Sequence, residues 1–371
     1  MPEPAIHSSR IPGRQRLYLD VLYDPDRTGA FFLWPHPTTS AFEACARRLV
    51  HPAVPRARAA EMLKRQNREF GAPPEAMAAA AELAADDAVA VFTGQQAGLF
   101  GGPLYTIYKA LTLLGWAARL KGALKRPVVP IFWIAADDHD FEEIRWTALP
   151  DTQNQVRRLE LQVDVLPPRA PASQIQLGRK IETLLDELRA AQTPTEFSEE
   201  IFFSLGTDYS AENGVVEAFG RWMTRLLGRF GLVMFNPADV EAKTLCAPLF
   251  AREIEGFAET ASALQDNGHR LEEYGYHRQV AHAGDHTHLF YLQNGRHALA
   301  ANNGRLWIEP EAKTPRLPGA WLERLQSNPA AFSPGVLFRP VAQSPYWKRK
   351  SRARPNHWGT TSPSFSVTSR H

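Results

Sequence analysis

Two short apolar runs, separated by a glycine-rich loop and an amphipathic segment, constrain this chain more than any other feature. Residues 88–92 (AVAVF) are apolar and rich in β-branched valine, as a strand buried on both faces requires. Thr93 and Gly94 close the run, a loop dense in glycine and glutamine follows, and YTIYKALTLLGWAARLKG then places apolar residues at helical spacing. Residues 128–136 (VVPIFWIAA) form a second buried-strand pattern, stopped by acidic residues. Strand, loop, helix and strand in that order predict a right-handed βαβ unit, because parallel strands need a crossover and right-twisted strands accept that hand. The fold class expected is α/β, with a parallel sheet at its core.

The rest of the chain is arranged around that unit. LYLDVLYD (17–24) reads as regular structure and Phe31-Phe32-Leu33-Trp34 as an aromatic run packed on the core. Residues 55–85, rich in Ala, Glu, Arg and Leu with a break at Gly71-Ala72-Pro73-Pro74, predict a helical pair. Residues 1–158 thus make an N-terminal segment and the first half of the core. Pro167, Pro168 and Pro171 mark a linker and 175–191 reads as an amphipathic helix, so 159–212 is expected to be a connecting insertion. Helical periodicity over 215–230, a short apolar strand within 231–237 and a helix after it assign 213–343 to the second part of the core. Alternation and Asn-Gly turns within 288–307 predict a β-hairpin excursion at about 270–315.

With 44% hydrophobic and 22% charged residues in a chain of 371, general disorder is excluded. Residues 344–371 differ: they have no apolar period and hold six basic residues and no acidic one. Setting those six aside turns the net charge of +2 into −4, which removes the electrostatic case for nucleic acid or an anionic membrane as partner. The hard seam after Gln343 points to translation of a wrong reading frame, an aberrant disordered tail, rather than to a natural disordered one. Cys45 and Cys246 lie far apart without a CxxC, which suggests neither a disulfide framework nor a thiolate zinc site. Arg10, Arg14 and Arg16 stand where a signal peptide would be apolar, and nothing approaches the roughly 18 apolar residues of a membrane span, so a cytoplasmic location is expected.

Two constellations could carry chemistry. In the loop from Thr93 to Lys109, Gly94, Gly98, Gly101 and Gly102 let backbone amides approach a ligand at the positive end of the following helix, while Gln95 and Gln96 add side-chain amides. Thr106 and Lys109 fall on one face of the first helical turn, with Tyr105 beside them, above a space suited to phosphate or carboxylate. The loop matches neither the Walker pattern nor GxGxxG, and a tight turn without ligand is the alternative. The second constellation, Asp137-Asp138-His139-Asp140-Phe141-Glu142-Glu143, sits beyond the carboxyl end of a core strand, where open parallel sheets bind ligands. It could hold an ammonium group or act as base, ligate Mg²⁺ or Mn²⁺, or merely cap a helix. His277, His282, His286 and His288 read as a surface hairpin rather than a metal site. Arg339, near Ser333-Pro334-Gly335, is either a bidentate clamp for an acceptor carboxylate or a structural cation.

TGQQAGLFGGPLYTIYKAL and PVVPIFWIAADDHDFEEI, together with QNREFGA, FGLVMFNPAD, LCAPLFAREIE, EEYGYHRQV and FSPGVLFRPVAQ, resemble the bacillithiol synthase family, the cysteine-adding ligases of bacillithiol biosynthesis. The likeness runs over residues 17–343. It implies a Rossmann-like core similar to the nucleotidyl-transferase fold of class I aminoacyl-tRNA synthetases, with helical and β-hairpin insertions and a coiled-coil dimerisation domain, and it implies L-cysteine and glucosaminyl-malate as substrates. An unactivated carboxylate does not acylate an amine at neutral pH, so ATP is implied by chemistry and by fold likeness, most simply through an adenylate, with no tightly bound metal expected. The resemblance places Thr106-Ile107-Tyr108-Lys109 where class I synthetases carry their HIGH tetrad, although no KMSKS-like run is found. Lys109, Asp138 and His139 are then the expected catalytic residues, His139 as base. Thr93, Gly94, Gln95, Gln96, Gly98, Gly101, Gly102, Tyr105, Thr106, Asp137, Asp140 and Arg339 are the expected substrate-binding residues. The family continues where this chain turns into its tail, so loss of the coiled coil, of the family homodimer and of much of the activity is expected. Competing readings are a nucleotide or thiol-sugar binding module without turnover, and a metal-dependent phosphoesterase.

Overall fold

Nine strands lie among the residues that the computed structural model describes, which are 7–32, 38–48, 55–279, 286–309 and 315–335. Arg339, His282, the seam after Gln343 and residues 344–371 fall outside them. The strands are β1 (Val89–Gln95), β2 (Val128–Ile134), β3 (Trp146–Pro150), β4 (Val156–Glu160), β5 (Val233–Phe235), β6 (His286–Leu292), β7 (Arg296–Asn302), β8 (Arg305–Ile308) and β9 (Phe332–Pro334). They form a parallel sheet in the order β1-β2-β5, a β3-β4 hairpin and an antiparallel sheet in the order β8-β7-β6-β9.

The βαβ unit is present as expected: β1 and β2 pair in parallel from Val89 opposite Val128 to Gln95 opposite Ile134, with helix Tyr105–Leu124 between them. Side chains alternate across a strand, which decides the two faces of β2. Val129 and Ile131 pack with Met62, Leu63 and Ala80 of helices Arg56–Glu69 and Pro74–Glu82. Phe132 and Ile134 join Ala110 and Leu113 of the crossover helix and Phe219 and Met223 of helix Val215–Leu227. Each buried Val, Ile, Leu, Met or Phe side chain among these contributes about 1.5–3 kcal/mol, which is why the strand text is apolar throughout rather than alternating.

The sheet's β5 edge is closed by side chains. Asn67 Oδ1 accepts from Met234 N at 2.9 Å while its Nδ2 donates to Met234 O at 2.8 Å. Gln66 repeats the pattern two residues on: Oε1 accepts from Asn236 N at 2.9 Å and Nε2 donates to Asn236 O at 3.1 Å. Both side chains are buried and stand in for the backbone of a further strand.

One local reading differs from the structure, and two others gain detail. Residues 175–177 are extended, not helical: Ile175 O accepts from Val215 N and Leu177 N donates to Asn213 O, Gly178 turns the chain at a φ of +66°, and the helix runs Lys180–Ala191. Leu159, Leu161, Ile175, Ile181 and Leu184, all within 159–212, belong to the same apolar cluster as Phe132. The expected hairpin is present as β6 and β7 and extends into a four-stranded sheet, with β8 beside β7 and β9 beside β6. A lone hairpin is marginal in water; here Leu289, Leu299, Leu306 and Phe332 are buried against Phe250 and Ile254 of helix Val240–Glu273 and Trp321 of helix Pro318–Ser327.

Candidate functional site

The glycine-rich loop leaves the carboxyl end of β1 and enters the crossover helix. Gly94 lies so close to β2 that a Cβ there would sit 2.6 Å from Trp133 O, which keeps the two strands paired through Gln95. The chain then crosses itself: a Cβ on Gly98 would meet Gly102 Cα at 2.7 Å, and Gly101 and Gly102 adopt φ of +97° and +72°. Gly98, Gly101 and Gly102 spend their amides inside this turn, on Gln96 O, Gly98 O and Leu99 O, and Gly101 N also meets the buried Tyr209 hydroxyl at 3.1 Å. Sequence reasoning expects these amides to face a ligand; the tight crossing uses them instead.

What the loop does present is side chains. Thr106 is fully buried, its Oγ1 has no hydrogen-bond partner, and a Cβ on Gly102 would lie 3.4 Å from that oxygen. Lys109 Nζ donates to Gln95 Oε1 at 2.9 Å and stands 5.2 Å from the centre of the Tyr105 ring, whose hydroxyl accepts from Gln95 Nε2 at 3.0 Å. Burial pushes the Lys109 pKa below the usual lysine value. Its hydrogen bonds go to neutral oxygens, so an anion would complete its shell.

Gln96 joins this loop to the acidic rim. Its Nε2 donates to Asp138 Oδ2 at 3.0 Å and to Glu143. Asp138 Oδ1 accepts from the amides of His139 at 2.8 Å and Asp140 at 3.4 Å, which folds 138–140 into a tight turn. Asp140 is exposed. Thr93 lies in β1 opposite Phe132, at the edge of the loop.

Three cations from distant parts of the chain complete the site, and sequence reasoning missed them all. Lys243, in the first turns of helix Val240–Glu273, places Nζ 3.0 Å from Asp137 Oδ1, an ion pair without hydrogen-bond alignment. Asp137 therefore holds a protein ammonium in the interior, where sequence reasoning expects it to await a ligand's. Arg296, at the start of β7, is buried; its guanidinium donates to Ser333 Oγ at 3.0 Å, to Pro334 O at 3.1 Å and to His139 Nδ1 at 3.3 Å. Arg169 is tied to it through paired backbone and side-chain bonds, Arg296 N to Arg169 O and Arg169 Nε to Arg296 O, both 2.9 Å. No local pattern marks these residues: His139 and Arg296 are 157 positions apart.

Arg296 also decides what His139 can do. Burial, then the charges of Arg296 and Arg169, push the imidazole pKa below its ordinary value, so it is neutral near pH 7. A guanidinium only donates, so Nδ1 must accept and the ring proton sits on Nε2. His139 thus offers a hydrogen-bond donor rather than the free base that sequence reasoning assigns to it. Among the described residues no three His, Cys, Asp or Glu side chains are grouped to hold a metal ion, and no helix is long and apolar enough to cross a membrane.

A family model described as bacillithiol biosynthesis BshC, N-terminal Rossmann-like domain, matches residues 5–345. The chain belongs to this family. Its Rossmann-like parallel sheet agrees with the fold class expected from the βαβ text and from the resemblance. Relatives named "Putative cysteine ligase BshC" include one from Solibacter usitatus, 33% identical over 91% of this chain and 61% of its own length. Those from Salinibacter ruber and Desulforamulus reducens are 33% and 34% identical over 88% and 83% of this chain and 59% and 57% of their own lengths. The chain spans about three-fifths of the length of these BshC-family relatives.

Proposed function

We propose that this chain forms the core of a ligase that joins the carboxyl group of L-cysteine to the amine of glucosaminyl-malate, completing bacillithiol with ATP as activator. The observation that carries the reading is that adjacent loop residues hold groups of opposite charge: Gln95 accepts from the half-buried Lys109 ammonium and Gln96 donates to the Asp138 carboxylate. Such a site can take an anion and a cation together, as condensation of a carboxylate with an amine demands. The orphaned Thr106 hydroxyl and the Lys109 ammonium fit phosphate oxygens. ATP, when bound, supplies the leaving group that a free carboxylate lacks. Asp138 and Asp140 hold the entering ammonium, and His139 Nε2–H donates to an oxygen of the substrate. Arg339, outside the described residues, is kept as a candidate clamp for the acceptor's carboxylate. The metal-dependent phosphoesterase reading finds no ligand set among the described residues.

The test is to incubate the purified chain with L-cysteine, glucosaminyl-malate and ATP and follow the amide product by mass spectrometry. Lys109→Ala is expected to slow its formation by roughly a hundredfold or more, the usual effect of removing one group that stabilises transition-state charge, with the thermal midpoint unchanged. Product formation by Lys109→Ala at the unaltered rate would sink the proposal. So would the absence of product both from this chain and from a version extended to the relatives' full length.

A further inference from the structure

A cavity of about 430 Å³ opens where β5 ends, lined by none of the residues expected from the sequence to be catalytic or substrate-binding. Its size falls within the roughly 300–1,000 Å³ of ligand pockets. It borders the acidic rim through residues 172–176: Ala172 and Ser173 give their amides to the carbonyls of Asp138 and Ala136, and Ser173 and Gln176 line the cavity.

The lining is polar but largely uncharged in effect. Ser173, Gln176 and Asn236 all line the space, and the Ser173 hydroxyl, the Gln176 side-chain amide and Asn236 Nδ2 form no hydrogen bond among the described residues, which leaves three neutral polar groups for a ligand. The carboxylates are each ion-paired: Glu217 with Arg221 at 2.7 Å, Asp239 with Arg65 at 2.7 Å and Glu69 with Arg65 at 3.1 Å. Three carboxylates share two guanidinium groups, a slight negative excess that disfavours a polyphosphate and suits a ligand with one ammonium. Phe70 and Val216 add apolar wall. Planar amides and carboxylates satisfy neighbouring hydroxyls in pairs, while an apolar wall accepts the C–H face of a ring. We infer that this cavity seats the amino-sugar ring of the acceptor, beside the rim where its amine reacts. The inference rests on the ligase reading for the identity of the sugar.

The test is calorimetric titration of the full 371-residue chain with glucosaminyl-malate, with L-cysteine and with ATP, for the unaltered protein, Gln176→Leu and Ser173→Val/Gln176→Leu. The double variant is expected to bind glucosaminyl-malate at least tenfold more weakly, with the Kd for cysteine and ATP and the thermal midpoint unchanged. Gln176→Leu, which alters an exposed side chain and so keeps the test alive if Ser173→Val does not fold, is expected to lose at least threefold. Sugar affinity unchanged within twofold, loss of ATP affinity instead, or no sugar binding by the unaltered chain overturns the inference. The two readings fail separately. A chain that binds the sugar here yet forms no amide loses only the ligase reading. A chain that forms the amide with a KM for the acceptor untouched by the double variant loses only the cavity assignment.

Discussion

Lys243→Met isolates the energetics of the buried ion pair behind the acidic rim. The Lys243 and Asp137 side chains are 2% and 7% exposed, and neither Asp137 oxygen accepts a hydrogen bond. Methionine keeps most of the volume, so the change removes charge without opening a large cavity. It strands the Asp137 carboxylate in the interior, and breaking a buried pair from one side costs about 3–5 kcal/mol. At about 1.4 kcal/mol per factor of ten, the ratio of folded to unfolded chain should fall by roughly two to nearly four powers of ten. Removing both charges together, in Asp137→Asn/Lys243→Met, should cost no more than about 2 kcal/mol, because nothing charged is left unpaired. The internal standard is Arg189→Ala, which breaks the exposed Arg189–Glu199 pair at 2.8 Å and should cost at most about 1 kcal/mol. Urea unfolding followed by tryptophan fluorescence gives all three values. A cost for Lys243→Met no larger than that of Arg189→Ala, or a double variant weaker than the single one, would refute the reasoning.

Glu253, buried with Oε1 accepting from His288 N at 2.9 Å, has its carboxyl pushed up by burial to about 7. Its folded value lies above the ordinary 4.5, so its stabilising contribution is full below that pH and lost as pH rises through 7. About 3 kcal/mol should disappear across that window; Glu253→Gln should flatten the slope of urea midpoints between pH 5 and 8, and an unchanged slope would count against the burial argument. By NMR, His139 should titrate below 6.5 and Arg296→Met should raise its pKa; an imidazole indifferent to Arg296 would contradict the tautomer assigned here. Gly94→Ala should destabilise by about 1–3 kcal/mol through overpacking against Trp133 O. Gly115→Ala, which faces open space within helix Tyr105–Leu124, should instead stabilise by about 0.5–1 kcal/mol, and equal melting points for the two would show that the sheet yields at Gly94.

Legibility followed the range of the interactions. AVAVF, VVPIFWIAA and the helical text between them announced a parallel βαβ unit because burial on two faces and helical spacing are properties of a few consecutive residues. The same local logic marked the loop and the acidic rim as the ends of neighbouring strands, and the bridge from Gln96 to Asp138 is what such ends produce when they pair. It misjudged the glycine amides, since whether an amide faces a ligand or another carbonyl depends on how the loop crosses itself. Nor does the helical text of 55–85 mark Asn67 and Gln66 as the residues that close the β5 edge.

The sequence alone therefore determined which segments become strands and helices, and which of their ends carry polar chemistry, because those outcomes depend on side chains a few positions apart. Only the tertiary structure decided the electrostatics: Lys243 beside Asp137, and Arg296 on His139, arrive from helices and strands far along the chain. Coulombic and hydrogen-bonding energies depend on distance in space, and folding sets that distance without leaving a local mark in the residues it brings together.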